Sequence, residues 1–115
     1  MVLGFKQIFK EKIKAGDKIH TIRQGSRWCE GRKIHFATGV RTKSYNQFHS
    51  GECIGVQEIS IYYPSGNVII DGKLFHDKER LAKNDGFDSF DQMLDWFGKD
   101  GIKGQIIHWT NFRYI

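Results

Sequence analysis

Apolar residues recur along this 115-residue chain at two periods, and the change from one to the other marks out its elements. Phe5, Ile8, Phe9 and Ile13 fall at i, i+3, i+4 and i+8, one face of a helix, with Lys6, Lys10, Lys12 and Lys14 between them. That spacing predicts a helix over 5–15, ended by Gly16, with its late lysines complementing the negative end of the dipole. Lys18–Arg23 alternates as an extended segment. Glu30-Gly31-Arg32 reads as a turn into a strand over Lys33–Ala37, with Ile34 and Phe36 inward. The polar stretch from Gly39 to Gly51 reads as a long loop, a kind of segment that often carries function in compact domains.

Cys53–Tyr63 is the clearest strand, but its apolar phase changes. Ile54 and Val56 fall on one face, Ile59 and Ile61 on the other, and a bulge near Gln57-Glu58 accounts for the switch. Val68–Phe75 predicts a hairpin turning at Asp71-Gly72, a pair that suits the type I′ turn. His76–Lys83 reads as a short helix and Asp85-Gly86-Phe87 as a break. Asp88 or Ser89 then caps a helix with Phe90, Met93, Leu94 and Phe97 inward, stopped by Gly98. Gln105–Tyr114 closes the chain as a strand. Hairpin connections dominate and no β-α-β unit recurs. The expectation is a single α+β domain over 1–115, a small, mostly antiparallel β-barrel with flanking helices.

Charge adds a direction to this picture. The net charge is +5, but residues 1–43 hold eleven Lys/Arg against three Asp/Glu, whereas residues 44–115 hold seven against ten. A chain so divided presents a basic face, which attracts polyanions such as nucleic acid or else is merely solvated. Cys29 and Cys53 form no C-x-x-C pair, and no apolar run is long enough to span a membrane. These features lead to an expectation of a cytoplasmic protein with free thiols and no membrane partner. The five histidines have no metal-ligand spacing, so neither metal nor cofactor is expected.

The chemistry concentrates in Lys18-Ile19-His20-Thr21-Ile22-Arg23. On a regular strand Thr21 and Arg23 share a face, and Lys18 joins them only if the backbone at 17–19 is irregular. A threonine hydroxyl needs a neighbouring base to act as a nucleophile, and a desolvated lysine near an arginine is one. The competing interpretation is a solvent-facing strand edge guarded by lysine. Arg23 suits a phosphate or carbonyl oxygen, or an ordinary ion pair. Arg41, Lys43 and Tyr45, with Phe48, make either a cationic-aromatic loop that stacks bases or a plain polar loop. Trp28 and Trp109 are cleft or core residues, with core the commoner fate.

Ala15-Gly16-Asp17-Lys18-Ile19-His20-Thr21-Ile22-Arg23 resembles the signature of the ASCH domain family, small proteins related to the PUA fold. Leu81–Ser89 resembles a second family block, in which an acidic residue precedes a helix. Ile106-Ile107-His108-Trp109 is similar to the family's last strand. The resemblance spans essentially the whole chain and implies a PUA-like barrel that binds RNA or a nucleoside in a cleft where the two blocks meet. One bacterial branch hydrolyses N4-acetylcytidine with a lysine, a threonine and a glutamate. By motif, Lys18 and Thr21 match the first two, and Asp85 stands where the glutamate is expected. Aspartate is one methylene shorter, and misplacement by about an ångström can cost ~10²-fold in rate. The leading expectation is therefore binding of RNA or a modified nucleoside by Lys18, Thr21, Arg23 and Asp85. Amidohydrolysis of an acylated cytidine is the alternative, and a protein-interaction module using the basic face is a third reading.

Overall fold

The computed structural model describes residues 1–115. Its elements are β1 (Val2–Phe5), α1 (Gln7–Ala15), β2 (His20–Gln24), β3 (Lys33–Thr38), β4 (Asn46–Glu52), β5 (Gly55–Ile61), β6 (Val68–Ile70), β7 (Lys73–Phe75), α2 (Lys78–Asn84), α3 (Phe90–Phe97) and β8 (Ile102–His108). The strands form two sheets, ordered β1-β3-β4 and β2-β8-β5-β6-β7, rather than one closed barrel. All pairings are antiparallel except β1 with β3. The α+β class and the mostly antiparallel pairing agree with the sequence expectation. No helix is long and apolar enough to cross a membrane.

β8 lies between β2 and β5, and its residues Gln105–His108 are buried on both faces. A strand covered on both sides loses the in-out alternation that a half-buried strand shows. The same packing explains the phase change in β5. β5 and β8 pair without a break from Gly55–His108 to Ile61–Ile102, so there is no bulge at Gln57-Glu58. Gln57 is instead an inward residue in phase with Ile59 and Ile61, while Val56 packs half-buried on the other face. The bulge of this fold lies between β3 and β4, where the register shifts at Phe36/Ala37.

Three boundaries also differ from expectation. Val2–Phe5 is a strand, so Phe5 is not helical, and Ile8 is 62% exposed, leaving Phe9 and Ile13 as the buried face of α1. The second half of the polar stretch 39–51 is β4, an edge strand with exposed side chains and no apolar alternation to reveal it. The last strand ends at His108, and residues 109–115 form an irregular tail that turns where Thr110 Oγ1 accepts from the Phe112 amide at 3.3 Å. Other local signals hold. Gly16 sits in the left-handed region at the end of α1, and Asp71 and Gly72 both have positive φ in the β6–β7 turn. Ser89 caps α3 by accepting from the Gln92 amide at 3.1 Å.

Candidate functional site

The ends of α1 and α2 bring the two sequence blocks together. After Gly16 the chain curls back, and the Asp17 and Lys18 amides both donate to Lys12 O, at 2.8 and 3.0 Å. Lys18 therefore precedes β2 rather than lying in it, which meets the condition of an irregular backbone at 17–19. The Ile19 amide then donates to Asn84 O at 2.9 Å, tying this turn to the end of α2. Asp85 is the C-cap of α2. Lys18 Nζ donates to its backbone oxygen at 2.5 Å and to its carboxylate Oδ1 at 3.1 Å. A cation at a helix C-terminus also complements the dipole. Gly86 permits the approach: a Cβ there would lie 3.0 Å from Phe9 Cδ1 and 3.1 Å from Lys18 Cδ, and its φ is +91°.

Lys18, Thr21, Arg23 and Asp85 line one cleft of about 730 Å³. Its other walls come from the rings of Phe5, Phe9, Phe87 and Trp96. Phe9, Phe87 and Trp96 meet edge to face, with centroids 5.4 to 5.6 Å apart. The Lys18 ammonium sits 4.7 Å from the Phe9 centroid, and the Arg23 guanidinium 5.0 Å from that of Phe5. Arg23 Nε donates to Thr21 Oγ1 at 3.3 Å and Nη2 donates to Gly4 O at 2.6 Å. The guanidinium thus rests on two neutral acceptors and forms no ion pair.

Burial dominates the electrostatics. Desolvation lowers the pKa of Lys18, opposed by its contact with Asp85. It lowers that of His20, again against Asp85, and that of Arg23. It also pushes Tyr114 up and brings His108 down to about 3. Asp85 Oδ1 also contacts His20 Nδ1 at 3.0 Å, and His20 Nε2 lies 2.6 Å from the Tyr114 hydroxyl. Asp85 Oδ2 makes no hydrogen bond within the protein, so one oxygen of a carboxylate lining the cleft is free to accept from a ligand.

The loop residues are placed differently. Gly39, Val40, Thr42 and Ser44 line the cleft, whereas Arg41, Lys43 and Tyr45 are exposed and do not. Trp28 is core, and Trp109 packs against Phe36 with centroids 4.8 Å apart. The tryptophan at the cleft is Trp96, 48% exposed, which the helical pattern of α3 leaves on its polar side. His20 and Tyr114 are the other residues that sequence reasoning missed. His20 lies inside the motif, but nothing in the sequence pairs it with a tyrosine 94 residues away. Cys53 is buried, which raises its thiol pKa, and Cys29 is exposed and free. No family model, curated protein or solved structure matches the chain.

Proposed function

We propose that this chain is an ASCH-like, PUA-related domain that binds a modified nucleoside, free or within RNA, in the cleft between its two motif blocks. One observation carries the reading: Lys18, Thr21, Arg23 and Asp85, split between distant segments, line a single hollow walled by aromatic rings. A volume of about 730 Å³ lies within the range of small-molecule sites, which combine apolar walls with a few convergent polar groups. The chemistry matches a pyrimidine. Trp96, Phe9 and Phe87 offer ring contacts, Asp85 Oδ2 accepts from an exocyclic N–H, and the unpaired Arg23 cation takes a carbonyl or phosphate oxygen. The interaction-module reading needs a flat basic face, and these residues sit in a hollow.

Amidohydrolysis of an N4-acylated cytidine is the second reading, favoured by the lowered pKa of Lys18, which lines the same cleft as Thr21. In it, the deprotonated form of Lys18, which burial favours, takes the Thr21 proton as Oγ1 attacks the acyl carbon. The C–N bond then breaks, the amine leaves with that proton, and water releases the acyl group from Thr21. Binding leads because Lys18 Nζ is directed at Asp85, and Thr21 Oγ1 is engaged by Arg23.

Calorimetric titration with N4-acetylcytidine and cytidine, alongside chromatographic assay of the mixtures, tests both readings. The expected result is binding of the acetylated nucleoside, weakened by Thr21→Val and Arg23→Gln. If neither nucleoside nor single-stranded RNA binds at low salt, the binding reading is overturned. Release of cytidine by the wild type or Asp85→Glu would establish hydrolysis, and intact substrate after hours at high protein concentration would exclude it.

A further inference from the structure

Behind the cleft lies a chain of buried polar groups for which nucleoside binding gives no direct use. Tyr114, in the irregular tail, is anchored by Gln57: the Gln57 amide nitrogen donates to Tyr114 O at 2.7 Å, and its oxygen accepts from the Tyr114 amide at 3.0 Å. This clamp drives the phenol into the core, where its oxygen meets Asn84 Nδ2 at 3.1 Å and His20 Nε2 at 2.6 Å. His20 is fully buried and Tyr114 is 5% exposed.

The proton positions follow from counting donors and acceptors. Asn84 Nδ2 can only donate, so the phenol oxygen accepts there. The remaining neighbour of the phenol is His20 Nε2, and the single phenol proton must point to it. Nε2 is then unprotonated, and the ring's one proton sits on Nδ1, which donates to Asp85 Oδ1. The two other arrangements put a proton on Nε2 and so leave the buried phenol proton without an acceptor, a loss comparable to a broken hydrogen bond; with Nε2–H alone, a bare Nδ1 would also face the Asp85 carboxylate. Burial disfavours the charged imidazolium in the same direction.

We propose that Tyr114 and His20 are positioning residues for Asp85: the phenol holds His20 in its Nδ1–H tautomer, and that N–H, with Lys18, fixes Oδ1 so that Oδ2 is presented to the ligand. Asp85 at the end of α2, His108 of β8, whose ring lies 5.4 Å away, and Tyr114 of the tail face His20 directly, while Lys18 before β2 and Asn84 of α2 act on it through Asp85 and Tyr114. The proposal rests on the reading of the cleft as a ligand site, but its first test is independent of that reading.

The tautomer is measured on ligand-free protein by two-bond ¹H–¹⁵N correlation of the histidine ring, together with the ¹³C shift of the Asp85 carboxyl. The expected result is a neutral His20 protonated at Nδ1. Tyr114→Phe removes one oxygen and keeps the ring contacts with Phe75 and Phe112, centroids 5.1 and 4.8 Å away. In this variant both tautomers should become populated and the Asp85 carboxyl resonance should move. N4-acetylcytidine should bind roughly 2- to 10-fold more weakly, the equivalent of one hydrogen bond. A wild-type His20 protonated at Nε2 or at both nitrogens overturns the proposal. So does a Tyr114→Phe protein whose tautomer, carboxyl resonance and affinity match wild type. If wild type binds no nucleoside, the ligand reading and the presentation of Oδ2 fall, while the spectra still decide whether Tyr114 sets the tautomer.

Discussion

The Lys18 ammonium lies 3.1 Å from the Asp85 carboxylate, although 67 residues of chain separate them and both side chains are almost sealed from water, at 2% and 4% exposure. Removing one partner of such a pair leaves the other charge buried and uncompensated. Asp85→Asn should therefore cost about 3–5 kcal/mol in urea unfolding. The double variant Lys18→Met/Asp85→Asn, which leaves no lone charge, should recover part of that loss. A single-variant cost under about 1 kcal/mol would mean that Lys18, once unpaired, sheds its proton or reaches water.

Acidification should destabilise the fold through its histidines. His20 and His108 both have lowered pKa values, His108 at about 3. Below pH 6.5 the unfolded chain binds protons that the folded one refuses, so stability present above the unfolded pKa is lost as pH falls. For His108 the window runs from 6.5 to about 3, with a slope of about 1.4 kcal/mol per pH unit for each histidine held fully neutral. Thermal melts at pH 7 and pH 5 read this directly. A melting temperature that does not fall between them would show that the folded rings protonate normally.

In α3 the buried pair is Phe90 and Met93, and Leu94 is only partly covered. Met93→Ala should therefore cost ~2–5 kcal/mol, and Leu94→Ala clearly less. Chemical denaturation of the two variants checks the order, and the reverse ranking would place the helix in a different rotation.

Arg41, Lys43 and Tyr45 face outward while the cleft is lined by their neighbours, so the loop and the cleft are separable. Replacing Arg41 and Lys43 with alanine should weaken single-stranded RNA and reduce its salt dependence, with nucleoside affinity unchanged. Trp96→Ala should do the opposite, costing the nucleoside about 1–3 kcal/mol if its base stacks there. Filter binding at ~50 and ~200 mM salt, paired with nucleoside titration, separates the two effects.

The helices and the β6–β7 turn were legible in the sequence because their signals are local: a glycine after a periodic run, a serine before one, an Asp-Gly pair between apolar runs. β1 and β4 were not. One is four residues long and finds its partner in β3, some thirty residues on, and the other is an exposed edge without alternation. In β5 the apolar phase changes between Val56 and Ile59, which by itself points to a bulge, but the strand pairs with β8 without a break and Gln57 fills the inward position. It is buried because His108 and the Tyr114 backbone satisfy its amide, partners that no local pattern reveals. Of the residues lining the cleft, motif spacing groups Lys18, Thr21, Arg23 and Asp85 but gives no sign of Trp96. His20 stood beside them unrecognised, since its role comes from the far end of the chain.

That dependence on Tyr114 governs when the site comes into being during folding. No segment shorter than residues 18–114 contains Lys18, His20, Asp85 and Tyr114 together. Pairings so distant in sequence form late and slowly, because the loop between them must close before any contact is made. The site is therefore a readout of global rather than local order. Its ring protons and amides should exchange with solvent only as the whole domain unfolds, and a substitution anywhere in the core that raises the unfolded population should empty the cleft in proportion.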